Sequence, residues 1–283
     1  MRAVDIDLKL VDEVVRNYSS DEYDKIIEEK KQASLIYHLS RYRWHAFEWI
    51  PLKESATVLE VGSECGAITS YLSKKVSKVY CVETDAVKTE INKARHKDVA
   101  NVVFFEDGFE EVKKLTYDYI FLSGSLARAE ELLGEGEASY QEILSLCKSL
   151  LKENGQIFIA TENRLGLKYW AGCKEDYFER EYIGVEGYGD RKGYKTFSKS
   201  ELMRLMETAA FTDICFYYPY PDYVFCDHIY SDEWLPKKGE LTNNQRNYDK
   251  DRYIFFDEFN VYNSIIGEEL YSEFSNSYFI VAR

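Results

Sequence analysis

Acids at positions 60, 64 and 83 and glycines at 62 and 66 lie in or near one stretch, TVLEVGSECGAITSYLSKK, residues 57–75. A β-favouring run enters Gly62, the second glycine follows four residues later, and the pattern then turns helical. Gly62 permits a tight turn, and Gly66 lets backbone approach a ligand at the start of the next helix. Glu83 lies 21 residues beyond Gly62, about where an acid takes up the hydroxyls of a nucleoside ribose. An exposed acid closing a strand is the plainer reading of the same residue. A dinucleotide turn would want glycine at 62, 64 and 67, and this chain has Glu64 and Ala67. Carboxylates at 60 and 64 repel a diphosphate and tolerate a cationic nucleoside such as a sulfonium.

The elements that must hold this turn alternate along the chain. Strands are predicted at TVLEVG, KVYCVE, NVVFFE, YDYIFLSG, GQIFIATE, DICFYYPY and SYFIVAR. Amphipathic helices separate them at AITSYLSKKV, DAVKTEINKARHK, YQEILSLCKSLLKE and SKSELMRLMETAA, with Gly155 placed to end the third in a left-handed conformation. The pattern is that of an α/β protein with a parallel sheet covered on both faces. Residues 1–50 read as a helical N-terminal arm closed by Pro51, and 51–283 as the main domain. Two stretches, 163–197 and 224–276, break the repeat and read as lids or acceptor-binding insertions.

Composition narrows the partners. A formal charge of −14 disfavours a nucleic acid, and KKVSK and the pair Lys237 and Lys238 are too short and too flanked by acids to reverse it. Cysteines at 65, 81, 147, 173, 215 and 226 form no CxxC pair, so neither a metal site nor a disulfide scaffold is expected. No apolar run approaches the roughly 20 residues of a membrane span, and the first residues lack a signal peptide's apolar core, so a cytoplasmic location is expected.

VLEVGSECG resembles the first motif of class I S-adenosylmethionine-dependent methyltransferases, and CVETD resembles their second. The resemblance implies a Rossmann-like seven-stranded mixed sheet with a late antiparallel strand, and S-adenosylmethionine as cofactor. It places Glu60, Gly62, Ser63 and Gly66 at the methionine end, Glu83 at the ribose, and Asp107, Gly108 and Phe109 around the adenine. Members usually carry glycine where this chain has Glu64. ECGAITSYL, ATENRLGLKYWAG, TFSKSEL, FYYPYPDY and IYSDEWLP are similar to a bacterial subgroup encoded beside glycosyltransferases of surface-polysaccharide pathways. That likeness implies a small-molecule or saccharide acceptor, methylated at oxygen.

An oxygen acceptor calls for a base. Glu162 and Asn163 stand at the carboxyl end of the fifth strand, and His38 and His228 are placed to enter from the arm and the second insertion. Tyr169, Tyr220 and Asp222 lie in aromatic stretches suited to sugar rings and hydroxyls, although core packing explains the tyrosines equally well. A methyltransferase-like binding or scaffold protein is the alternative reading.

Overall fold

Eight short runs form one mixed sheet in the computed structural model, which describes residues 7–105, 108–133, 138–244 and 252–283. The strands are β1 (Thr57–Val61), β2 (Lys78–Val82), β3 (Val102–Phe104), β4 (Tyr117–Ser123), β5 (Leu151–Glu162), β6 (Cys215–Tyr220), β7 (His228–Ser231) and β8 (Ser277–Ala282). Their order is β3-β2-β1-β4-β5-β8-β6-β7. β1 runs parallel to both β2 and β4, whereas β8 runs antiparallel to β5 and β6. The strand order reverses between β1 and β4, so the carboxyl ends of these two strands border the crevice in which such sheets bind ligands.

All seven predicted strands are present, and β7 is an addition from the second insertion. It pairs antiparallel with β6 at the sheet edge. Four residues with one face open to solvent carry too little alternation to be read as a strand beforehand.

Alternation sorts the side chains of β1. Val58 joins Val79, Phe121, Phe158 and Phe279 on one face, beneath Phe47 and Ile50 of the arm and Tyr71 and Leu72. Leu59 and Val61 join Ile120, Leu122, Ile157 and Ile159 on the other, packed against Ile143, Leu144, Leu202 and Met206. The arm folds as α1 (Leu8–Asn17), α2 (Tyr23–Lys30) and α3 (Ala33–Leu39). Val11, Val14, Ile26 and Leu35 of these helices pack with Cys65 and Ile91. The helices that follow are α4 (Thr69–Leu72), α5 (Ala86–Arg95), α6 (Phe109–Val112), α7 (Ala129–Leu133), α8 (Ala138–Leu150), α9 (Leu167–Trp170), α10 (Lys199–Thr208), α11 (Glu258–Gly267) and α12 (Tyr271–Phe274). Asp85 starts α5 by accepting from the backbone N–H groups of Val87 and Lys88.

Gly155 does not terminate a helix. α8 stops at Leu150 and the chain passes directly into β5, so Gly155 lies within the strand. What asks for glycine there is crowding: a Cβ would lie 3.0 Å from the Lys152 carbonyl oxygen and 3.1 Å from that of Asp118. The first insertion contains α9, and the second contains β7, α11 and α12.

Candidate active site

The turn after β1 is built by its own backbone before any ligand is considered. Gly62 and Gly66 have φ of 73° and 82°, in the left-handed region. A Cβ on Gly62 would stand 2.5 Å from Ser125 Cβ, and one on Gly66 would stand 2.2 Å from Asn92 Oδ1. Both glycines are therefore demanded by the loop after β4 and by α5. The Gly62 N–H donates to the Val82 carbonyl at 2.8 Å, tying the turn to β2. Ser63 is buried and accepts from Asn92 Nδ2 at 3.2 Å.

Glu60 is covered by the helix that follows the turn. Its carboxyl accepts from Thr69 Oγ1 at 2.6 Å and from the Cys81 thiol. Burial pushes its pKa up to about 8, against the hydrogen bonds from Thr69 and Cys81 and with the negative field of Glu64 and Glu83 adding to it. At neutral pH this group is mainly a neutral carboxyl bracing the turn. The expectation of two repelling carboxylates flanking the turn is corrected accordingly.

Glu64 adopts φ 47° and is 8% exposed. Its carboxylate lies 3.5 Å from Arg128 and 3.8 Å from Lys88. Its N–H donates to Glu83 Oε2 at 3.0 Å. Glu83 Oε1 accepts from the N–H groups of Thr84 and Asp85 and from Arg128 Nη2, the last at 3.0 Å. The carboxylate expected to receive ribose hydroxyls is thus capped by a guanidinium, with side-chain exposures of 3% for Arg128 and 1% for Glu83. Arg128 also contacts Glu131 at 3.0 Å. Sequence reasoning missed Arg128, because SLARAEELL offers only a local Arg–Glu pair at helical spacing.

On the adenine side, Asp107 lies outside the described residues. Gly108 has φ 59° and leads into α6, where Phe109 is partly buried against the main core.

From the turn a chain of contacts runs to the end of β5. Ser125 fills the space beside Gly62, and the hydroxyls of Ser123 and Ser125 are buried with no hydrogen-bond partner among the described residues. Gly124 lies between them, where a Cβ would stand 2.7 Å from the Tyr223 hydroxyl. That hydroxyl donates to Glu162 Oε1 at 3.1 Å. Tyr177 donates to the Gly124 carbonyl at 3.3 Å.

The first insertion adds a second tyrosine–carboxylate pair. Tyr169 is 3% exposed and donates to Asp176 Oδ2 at 2.5 Å. Burial, reinforced by Asp176 and Glu162, pushes the Tyr169 phenol well above its ordinary range, so it is a donor and not a base. Lys168 lies 3.5 Å from Asp176. Burial works against its charge, but Asp176, Asp222 and Glu162 outweigh it and hold it as the ammonium ion. Burial also pushes Glu175 up to about 7, with Asp176 adding to the effect. Arg43 is 2% exposed, and the charge of Glu64 and the Tyr223 phenol both act on it, which brings the arm over the same region.

The other predicted residues divide. His38 is buried on α3, edge-on to Tyr37, and its carbonyl accepts from Arg95. Asn163 is a loop anchor: Nδ2 donates to the carbonyls of Glu273 and Ser275, and Oδ1 accepts from the Leu165 N–H. With these bonds made, its side chain has little capacity left for proton transfer. Asp222 accepts from the N–H groups of Val224 and Phe225 while its charge acts on Lys168. Tyr220 is buried in the core, bonded to Asn244 and packed on Tyr262, and does not face this region. His228 is exposed on the edge strand β7 and is not brought to the crevice. Among the described residues no cluster of three or more His, Cys, Asp or Glu side chains is arranged to hold a metal ion, and no helix is long and apolar enough to cross a membrane.

Residues 31–215 match the family model described as a methyltransferase domain. Among solved structures, the fold is similar to an S-adenosylmethionine-dependent methyltransferase from Archaeoglobus fulgidus, at 18% identity and a TM-score of 0.52, covering 92% of this chain and 98% of that one. It is also similar to a chain in the Haloferax volcanii complex between the Trm112 methyltransferase activator and a methyltransferase candidate, at 14% identity and a TM-score of 0.50, covering 94% and 96%. No curated protein matches the chain.

Proposed function

The chain belongs to the methyltransferase-domain family, enzymes that transfer methyl groups, here with S-adenosylmethionine as the donor, and from that premise we propose that it methylates a hydroxyl oxygen of a small-molecule acceptor. The cofactor supplies an electrophilic methyl group on a sulfonium. The residues toward it would be the backbone of the Gly62–Gly66 turn, the hydroxyls of Ser123 and Ser125, and Glu83. The two serine hydroxyls are buried polar groups still wanting partners, which suits a polar ligand at the carboxyl end of β4. A nucleoside's vicinal hydroxyls would take the place that Arg128 holds on Glu83.

The observation that carries the reading is the contact path from Gly62 through Ser125 and Gly124 to Tyr223 and Glu162. The path supports a role for Glu162 toward an acceptor that meets the turn. In this proposal Glu162 takes the hydroxyl proton, and Tyr223 steadies the carboxylate by donating to Oε1. Asp176, held by Tyr169 and Lys168, would be a second carboxylate toward the acceptor. Paired carboxylates and tyrosine hydroxyls suit a polyhydroxylated acceptor, and a saccharide is the acceptor class favoured here. The arm, through His38 and Arg43, and the first insertion would exclude water from the reacting atoms.

Calorimetric titration with S-adenosylhomocysteine and with NAD tests the premise on binding alone. Saturable binding of the sulfur nucleoside, absence of NAD binding, and a several-fold loss of affinity in Glu83→Ala are expected. Unchanged affinity in Glu83→Ala would remove Glu83 from the ribose site.

A further inference from the structure

A cavity of about 90 Å³ opens between the arm and helices α4 and α5. Tyr23, Trp44, Ser70, Lys74, Arg95 and His96 line it, together with Arg41, and no carboxylate is among the lining residues. In a chain of net charge −14 this is a local reversal of sign.

Arg95 is the centre of it. Its Nη1 donates to the carbonyls of His38 at 2.8 Å and Cys65 at 3.2 Å. Its Nε is buried and has no hydrogen-bond partner, and no carboxylate lies within ion-pair distance of it among the described residues. The guanidinium is half-buried, lies over the Tyr23 ring at 5.4 Å and lines the cavity with no counter-ion among the described residues, so an anion there would supply the charge it lacks. Lys74 lies over the Trp44 ring at 4.8 Å and likewise has no carboxylate partner among the described residues. Arg41 is shared with Asp21 at 3.4 Å and Asp24 at 4.0 Å, so it contributes less. His96 is held neutral, because burial depresses its pKa to about 3, with Arg95 adding to the effect. The lining cations with no carboxylate partner among the described residues are therefore Arg95 and Lys74, with Ser70 and Ser73 beside them. A cavity of about 90 Å³ has room for a phosphate group.

We propose that this cavity is a binding site for a phosphate group, as the free ion or as the terminal phosphate of a small metabolite, held by Arg95 and Lys74. The walls of the cavity are bonded to the cofactor turn itself. Arg95 holds the Cys65 carbonyl, Ser70 Oγ donates to the Gly66 carbonyl at 2.9 Å, and His96 Nε2 meets the same Ser70 hydroxyl at 2.9 Å. An anion drawn to Arg95 therefore acts on the backbone of residues 65 and 66, and its binding is coupled to that of the nucleoside. This coupling rests on the function proposed above, whereas the phosphate site does not.

The test is calorimetry on the whole chain with inorganic phosphate, with sodium chloride of matched ionic strength as reference and acetate as a second probe. Glycerol phosphate in a parallel titration distinguishes the free ion from an esterified source. One saturable site for phosphate is expected. Lys74 is exposed, so Lys74→Met retains the fold, and it should weaken phosphate at least about fivefold. Phosphate should also shift the affinity for S-adenosylhomocysteine in the native chain and not in Lys74→Met, by the same factor in either order of addition. Heats no larger than those of chloride, or full affinity in Lys74→Met, would overturn the site. Equal affinity for acetate would overturn the phosphate assignment. Phosphate binding in a chain that does not bind S-adenosylhomocysteine would leave the site standing and remove the proposed function.

Discussion

Replacing Arg128 by methionine sets two measurable quantities moving in opposite directions. The guanidinium is 3% exposed and the Glu83 carboxylate 1%, with 3.0 Å between them and a further 3.0 Å contact to Glu131. Breaking such a buried pair by removing one partner costs roughly 3–5 kcal/mol. Glu83 keeps the N–H groups of Glu64, Thr84 and Asp85, so the loss should fall at the low end, about 3 kcal/mol in urea denaturation. Cofactor binding should respond the other way. In the native chain a ribose must displace a charge-assisted hydrogen bond, a class of contact contributing about 1.5–3 kcal/mol. With methionine at 128 that contact no longer competes, and the affinity for S-adenosylhomocysteine should rise about tenfold, since 1.4 kcal/mol is a factor of ten. Arg128→Lys should fall between the two. Equal or weaker binding in an Arg128→Met protein that still unfolds cooperatively would show that the guanidinium does not stand in the ribose's place, and the role of Glu83 would have to be reassigned.

Two further outcomes can be checked by denaturation alone. Glu64→Ala and Glu64→Gly lose the same contacts to Arg128 and Lys88, but only glycine relieves the φ of 47°, so the glycine variant should be more stable than the alanine variant by about 1 kcal/mol. The pH dependence follows from Glu60, raised from 4.5 to about 8 in the folded chain. A raised carboxyl binds its proton more tightly when folded, so its contribution is full below about pH 4.5 and is lost as pH climbs toward 8. His96, lowered from 6.5 to about 3, acts in the opposite sense, its contribution being present above 6.5 and lost as pH falls. Between pH 6.5 and 8 the histidine term is flat, so stability should fall across that window, and Glu60→Gln should reduce the slope; an unchanged slope would mean that Glu60 is already ionised.

The alternation of β-rich runs with amphipathic helices is a local property of the chain, which is why all seven predicted strands formed. The glycine turn and Glu83 were legible for the same reason: the lengths of one strand, one helix and a second strand set their separation, and parallel pairing then brings Glu60 opposite Cys81 and Val61 opposite Val82. The short edge strand β7 was hidden because pairing with β6, and not its own pattern, makes it a strand.

Which charges meet was not legible. Arg128 reaches Glu83 across 45 positions, and nothing in either neighbourhood announces the other. Glu60 and Glu64 were both read as acids bordering the turn, yet Glu60 is covered by Thr69 and Cys81, where burial favours its neutral form, and Glu64 lies between Arg128 and Lys88. Asn163 looked reactive by its place at a strand end and proved to be an anchor for the segment around Ser275. Strand and turn identity depend on neighbours a few residues apart, which a linear text contains. Protonation and ion pairing depend on burial and on partners brought from distant segments, so they exist only once the chain has closed on itself.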